Sequence, residues 1–141
     1  MILLDTNVVS ELMKPRPEPA VLDWLDKQDE GTIFISAITR AEIELGIALL
    51  PEGKRREGLA TAANAMFVED FAGVILPFDR ESAIHYAILV AHRTRIGRPI
   101  TTEDAQIAAI ALQHRLTLVT RNIKDFEEII NLNLINPWQT V

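Results

Sequence analysis

Met1-Ile2-Leu3-Leu4-Asp5-Thr6-Asn7-Val8-Val9 is the segment on whose reading the fold turns. Ile2 to Leu4 is an apolar run too short for a buried helix, and it suits a strand covered on both faces. An acid follows at once, at the strand's carboxyl end, where the chain turns into a helical pattern from Val8 to Met13. Runs of the same kind recur at Thr32 to Ile35, Val74 to Leu76, Leu116 to Val119 and Leu132 to Ile135. Helical patterns lie between them, at Pro19 to Gln28, Ile38 to Leu50, Glu57 to Phe71, Arg80 to Arg95 and Glu103 to Arg115. Short strands alternating with helices predict an α/β fold, an α/β/α sandwich around a mostly parallel sheet. Ligands of such sheets bind beyond the carboxyl ends of the strands. Chemistry is therefore sought just after each apolar run.

The 141 residues suit one domain, 1–141, with no repeat or low-complexity tract; Pro15 to Pro19 is a rigid loop too short to separate two. Hydrophobic residues at 48% and charged residues at 24% are ordinary globular values and exclude a disordered or fibrous chain. Fourteen Lys and Arg against 20 Asp and Glu give a net charge of -6. General attraction to nucleic acid or anionic lipid is thus not expected, and any such contact needs a local basic patch or a bound cation. The absence of cysteine removes disulfides, thiolate metal sites and cysteine nucleophiles. It suits a reducing cytoplasm, as does an N-terminus with no basic signal-peptide region. No apolar stretch approaches the ~20 residues of a membrane helix.

Three acids stand out. Asp5 ends the first strand, where it can also cap the following helix. On a helix with ~100° per residue, Ile38, Leu45, Gly46 and Leu49 all fall within about 60° of Glu42. Glu42 thus lies in an apolar stripe, where a carboxylate is costly unless something satisfies it. A capping box, Thr39-x-x-Glu42, would explain the acid but not its face. Asp104 likewise heads an apolar face of Ile107, Ala108 and Ala111, with Thr101-x-x-Asp104 as its capping alternative. After the Leu116 to Val119 run come Thr120-Arg121-Asn122, with Asn122 and Asp125 placed to cap a short helix near Lys124. Carboxylates converging in one cleft repel unless a cation joins them. Oxygen ligands without His or Cys select Mg²⁺ or Mn²⁺, and such ions serve phosphodiester hydrolysis.

These residues fall into four blocks: Met1 to Glu11, Ile35 to Gly46, Glu103 to Ala109 and Val119 to Phe126, with Asn136-Pro137-Trp138 at the end. In order and spacing, over the whole chain, the blocks resemble a PIN-domain ribonuclease of the VapC/FitB-like toxins of bacterial type II toxin–antitoxin modules. The resemblance implies an acidic pocket holding Mg²⁺ or Mn²⁺. Asp5 and Asp104 match the family's main metal-binding aspartates, Glu42 its third acid, and Thr6 a hydroxyl that supports the pocket. The fourth position, often Asp in the family, is Asn122 here; its amide oxygen can ligate but adds no charge, and Asp125 stands nearby. The resemblance further implies an RNA substrate, a homodimer, and a small DNA-binding antitoxin that covers the groove.

His85 and His92 are seven residues apart, too far for a helical zinc pair, and read as core-edge or surface residues. Arg93-x-Arg95-x-x-Arg98 reads either as cations in a last helical turn before Gly97 or as a phosphate contact. Arg98 and Arg121 are the candidate RNA contacts, while Trp24 and Trp138 read as packing residues. Two rivals share the fold: a PIN-like binding module that has lost catalysis, kept alive by Asn122, and a nuclease acting on DNA. A haloacid-dehalogenase phosphatase needs Asp-x-Asp where this chain has Asp5-Thr6-Asn7.

Overall fold

The computed structural model describes residues 1–139; the last two residues of the expected domain lie outside the described residues. The element order is β1 (Ile2–Leu4), α1 (Thr6–Leu12), α2 (Pro19–Asp26), β2 (Ile33–Ser36), α3 (Ala37–Ala48), α4 (Lys54–Ala65), β3 (Ile75–Leu76), α5 (Arg80–Arg95), α6 (Thr102–His114), β4 (Thr117–Val119), α7 (Ile123–Phe126) and β5 (Leu134–Ile135). A π-helical turn, Met66–Asp70, prolongs α4. Each expected apolar run holds a strand, with its ends moved by two residues or fewer. Two helices start two or three residues earlier than their apolar periodicity suggested, and α3 and α6 start one residue earlier. Asp5 itself caps α1, so that helix begins at Thr6 rather than Val8. Gly53 precedes α4, which begins at Lys54 rather than Glu57 because its exposed polar first turn has no apolar period to read.

The strands form one parallel sheet in the order β3-β2-β1-β4-β5. Leu4 pairs with Ile35 on one side and with Val119 on the other. The residues that follow, Asp5, Ser36 and Thr120, therefore stand in a row at the carboxyl edge. Side chains alternate between two cores. Ile2, Leu4, Ile35 and Val119 join Val8, Val9, Val21 and Phe67 on one face. Leu3 and Leu118 join Leu89, Phe126 and the α6 face on the other. That α6 face, Ala105 with Ile107 to Ala111, is fully buried, and its alanines permit close packing. None of the described helices is long and apolar enough to cross a membrane.

The chain builds outward from β1 in both directions: β2 and β3 to one side, then β4 and β5 to the other. The reversal falls between β1 and β4, the switch point at which parallel sheets open a crevice. Asp5 and Thr120 lie at its floor.

Candidate active site

Asp5 is 5% exposed, and both of its carboxylate oxygens accept hydrogen bonds. The Thr6 amide donates to Oδ1 at 2.8 Å, and the Thr120 hydroxyl donates to Oδ2 at 2.8 Å. The capping role and the cleft position are thus filled by the same side chain. Burial is the main force raising the Asp5 carboxyl from 3.8 to about 6, against the lowering effect of those two bonds. Asp104 and Glu42 add to the rise as like charges.

Glu42 is half-buried on α3, and the Thr6 hydroxyl donates to its Oε1 at 2.8 Å. Thr6 Oγ1 also lies 3.0 Å from Thr39 Oγ1. With the Thr6 proton on Glu42, Thr39 is the donor of that second bond. Ser36 donates in turn to Thr39 at 3.3 Å, so hydroxyls run from the buried end of β2 out to the acid. The Thr39-x-x-Glu42 capping box is not formed. Ser36 is the N-cap of α3 and accepts from the Thr39 amide. The inward stripe expected around Glu42 is also corrected. Leu45 and Leu49 are 59% and 75% exposed, because, of that stripe, only Ile38 packs against a core, and the buried side of α3 is that of Thr39 and Ile43. Glu42 therefore stands at the edge of an open groove of ≈ 520 Å³, lined further on by Met13, Ile43, Ile47, Leu50 and Leu59.

Asp104 lies in the first turn of α6, half-buried. Thr101 caps the helix by accepting the Asp104 amide at 3.2 Å, but no return bond from the Asp104 carboxylate completes a box. Burial first, and then Asp125, Glu42 and Glu103 as like charges, raise its carboxyl above the ordinary range. Asn122 occupies the N-cap position of α7 without a side-chain cap bond, so capping does not explain its side chain. Asp125, on that exposed turn, is among the charges that act on Asp104.

Asp5, Glu42 and Asp104 thus sense one another's charge at one end of the sheet, with Thr6 between the first two. Among the described residues no three Asp, Glu or His side chains come close enough to chelate one ion directly. The donor set nevertheless fits Mg²⁺, which usually takes one or two carboxylates and keeps several waters. A cation would also offset the burial, and the like charge added to it, that hold Asp5 and Asp104 high.

The two candidate RNA contacts are already engaged. Arg98 Nη2 lies 3.4 Å from Glu127 Oε2. The Arg121 guanidinium stands over the Trp138 ring at 5.1 Å, while its backbone amide donates to Asn7. Trp24 and Trp138 pack against the core, as expected. His85 and His92 line a groove with Leu116 and Asn133, which precede β4 and β5, so they lie at the opposite edge of the sheet from the acids. Arg93 does lie in the last turn of α5 before Gly97, as one of its two readings expected, but it is buried within the fold and so is not an exposed phosphate contact. Thr120 was missed as a site residue. It is fully buried, donates to Asp5, and accepts from Asn7 Nδ2 at 3.3 Å and from the Asn122 amide at 3.1 Å. The rule of looking just after each apolar run points to it as directly as to Asp5.

The PIN domain family model matches residues 2–131. The plasmid stability protein StbB of Pseudomonas syringae pv. tomato is 45% identical over 99% of both chains. The VapC ribonuclease Y4jK of Sinorhizobium fredii is 42% identical, again over 99% of both. Among solved structures, FitAB bound to IR36 DNA fragment contains a chain that superposes with a TM-score of 0.91 at 40% identity, covering 100% of this chain and 98% of that one.

Proposed function

Starting from the fact that this chain belongs to the PIN-domain family, we propose that it is a metal-dependent endoribonuclease and the toxin of a type II toxin–antitoxin module. One observation carries the reading: Asp5, Glu42 and Asp104 stand together at the switch point of the sheet, and among the described residues none of them forms an ion pair with a Lys or Arg side chain. Asp5 and Asp104 would hold Mg²⁺ or Mn²⁺, with Glu42 completing the shell through water and the amide oxygen of Asn122 directly or through water. When bound, the ion supplies Lewis-acid neutralisation of the charge that builds on the scissile phosphate.

The chain's own groups do the rest. Thr120 and the Thr6 amide fix both oxygens of Asp5, so that carboxylate cannot swing out of the crevice. Thr6 commits only Oε1 of Glu42, which leaves Oε2 to orient the attacking water and take its proton. The uncommitted side chain of Asn122 positions that water or a phosphate oxygen. Arg98 and Arg121, on the loops flanking the acids, would meet the RNA backbone and give an acidic chain its local basic contact.

FitAB is a complex bound to DNA, and the same arrangement is proposed here. A small DNA-binding antitoxin would cover the open apolar groove beside Glu42 and pair a cationic side chain with the acids. A homodimer in the cytoplasm completes the proposal. The test is incubation of the purified chain with tRNA, rRNA and mRNA transcripts and matched DNA, in Mg²⁺, Mn²⁺ or EDTA. RNA cut only with metal supports the proposal. Cutting of DNA alone transfers the site to the other substrate, and no cutting in any metal leaves a binding module.

A further inference from the structure

Arg93 is 3% exposed near the end of α5, and among the described residues no carboxylate forms an ion pair with it. Its guanidinium is spent on backbone carbonyls. Nε donates to Arg98 O at 2.6 Å, and Nη1 donates to Asp125 O at 3.1 Å and Glu127 O at 2.9 Å. Nη2 reaches Pro99 O at 3.5 Å. A buried charge satisfied by neutral acceptors alone is an expensive feature, so its location is informative.

Helix termination does not require it. Gly97, at φ +74, already turns the chain, and the Arg98 amide closes back onto Arg93 O at 2.9 Å. What the guanidinium joins is two separate loops. Arg98 and Pro99 run into Thr101, the cap of α6, and so place Asp104. Asp125 and Glu127 belong to the turn that begins at Asn122. At the surface the same two loops meet through Arg98 and Glu127, a half-exposed pair of the kind that contributes little. The buried fork is therefore the rigid link between them. Only arginine offers planar donors that reach several carbonyls at once; a lysine ammonium is a single point on a flexible stem.

We propose that Arg93 is a positioning residue of the active site, setting the spacing between Asp104 and the Asn122–Asp125 turn. The proposal rests on the nuclease reading above. The test compares Arg93→Met and Arg93→Lys with Leu89→Ala, a cavity variant buried on the same helix beside the groove of His85 and Asn133, at the opposite edge of the sheet from the acids. All are assayed well below their melting temperatures, for kcat and KM on an RNA that wild type cuts and for the half-saturating Mn²⁺ concentration. Misplacing a ligand by about 1 Å costs up to ~100-fold. Both arginine variants should therefore lose at least about 10-fold in kcat and need more Mn²⁺, at nearly unchanged KM, while Leu89→Ala keeps wild-type kcat and metal response. Either arginine variant, folded, with wild-type kcat and metal response would overturn the proposal. So would a Leu89→Ala that loses as much, because the effect would then be one of stability. A wild type that cuts no RNA in any metal is a different failure: it removes the nuclease reading and this proposal with it.

Discussion

Replacing Asp5 by Asn should make the metal-free protein more stable while abolishing its activity. In the fold the Asp5 carboxyl titrates near 6 instead of 3.8. At ~1.36 kcal/mol per pH unit, that displacement amounts to roughly 3 kcal/mol. The folded chain binds the Asp5 proton more tightly than the unfolded chain does. Stability from this group is therefore present in full below about pH 4, falls as pH rises toward 6, and stays lost above it. The substituted amide carries no charge in either state and escapes the loss. It brings a cost, because its NH₂ would face Thr120 Oγ1, which already accepts from Asn7 and Asn122. One forfeited hydrogen bond is worth about 1 kcal/mol. The net expectation at pH 7.5 in EDTA is a gain of ~2 kcal/mol, or roughly 5–8 °C in Tm for a chain of this size. At pH 4 the gain should vanish or reverse slightly. Mg²⁺ should narrow the difference at pH 7.5 by stabilising wild type alone. Urea unfolding of both proteins at the two pH values is the assay. An Asp5→Asn protein less stable than wild type at pH 7.5, by an amount that does not change with pH, would refute the argument that burial strains this carboxylate.

Two further outcomes follow from the same geometry. Thr120→Val removes the donor to Asp5 Oδ2 and the acceptor of the Asn7 and Asn122 groups; it should cost about 2–3 kcal/mol in urea unfolding and lower RNA cleavage by more than Asn7→Ala does. Arg121→Ala should weaken RNA binding about equally for all sequences and reduce the slope of log affinity against log salt by about 1, measured by titration of the inactive Asp104→Asn protein with labelled RNA.

The sheet and two of the acids were legible because a parallel strand is a continuous apolar run and its end is where ligands sit. Asp5 and Asp104 follow from that rule and from the buried face of α6. Glu42 was singled out by the helical wheel, yet the stripe around it is half uncovered, since a wheel reports apolar alignment and not what packs against it. Leu45 and Leu49 show that difference directly. The choice between Thr39 and Ser36 as cap turned on a helix start three residues upstream, a shift periodicity does not resolve. Asn122 carried a plausible capping reading that only the missing side-chain bond removes. Arg93 was hidden for another reason. Its partners are carbonyl oxygens, which every residue possesses, so no residue pattern marks them.

The central claim is that Asp5, Glu42 and Asp104 form a metal-dependent RNA-cutting centre, and the rate of RNA cleavage against Mg²⁺ concentration for wild type and Asp104→Asn tests it most directly. Asp104 is half-buried at a helix start, so its amide replacement should keep the fold. The account predicts a saturable rise in rate for wild type, abolished by EDTA, and a loss of at least about 100-fold for Asp104→Asn that excess Mg²⁺ does not restore. Cleavage by Asp104→Asn at the wild-type rate, or a wild-type rate indifferent to EDTA, would contradict it.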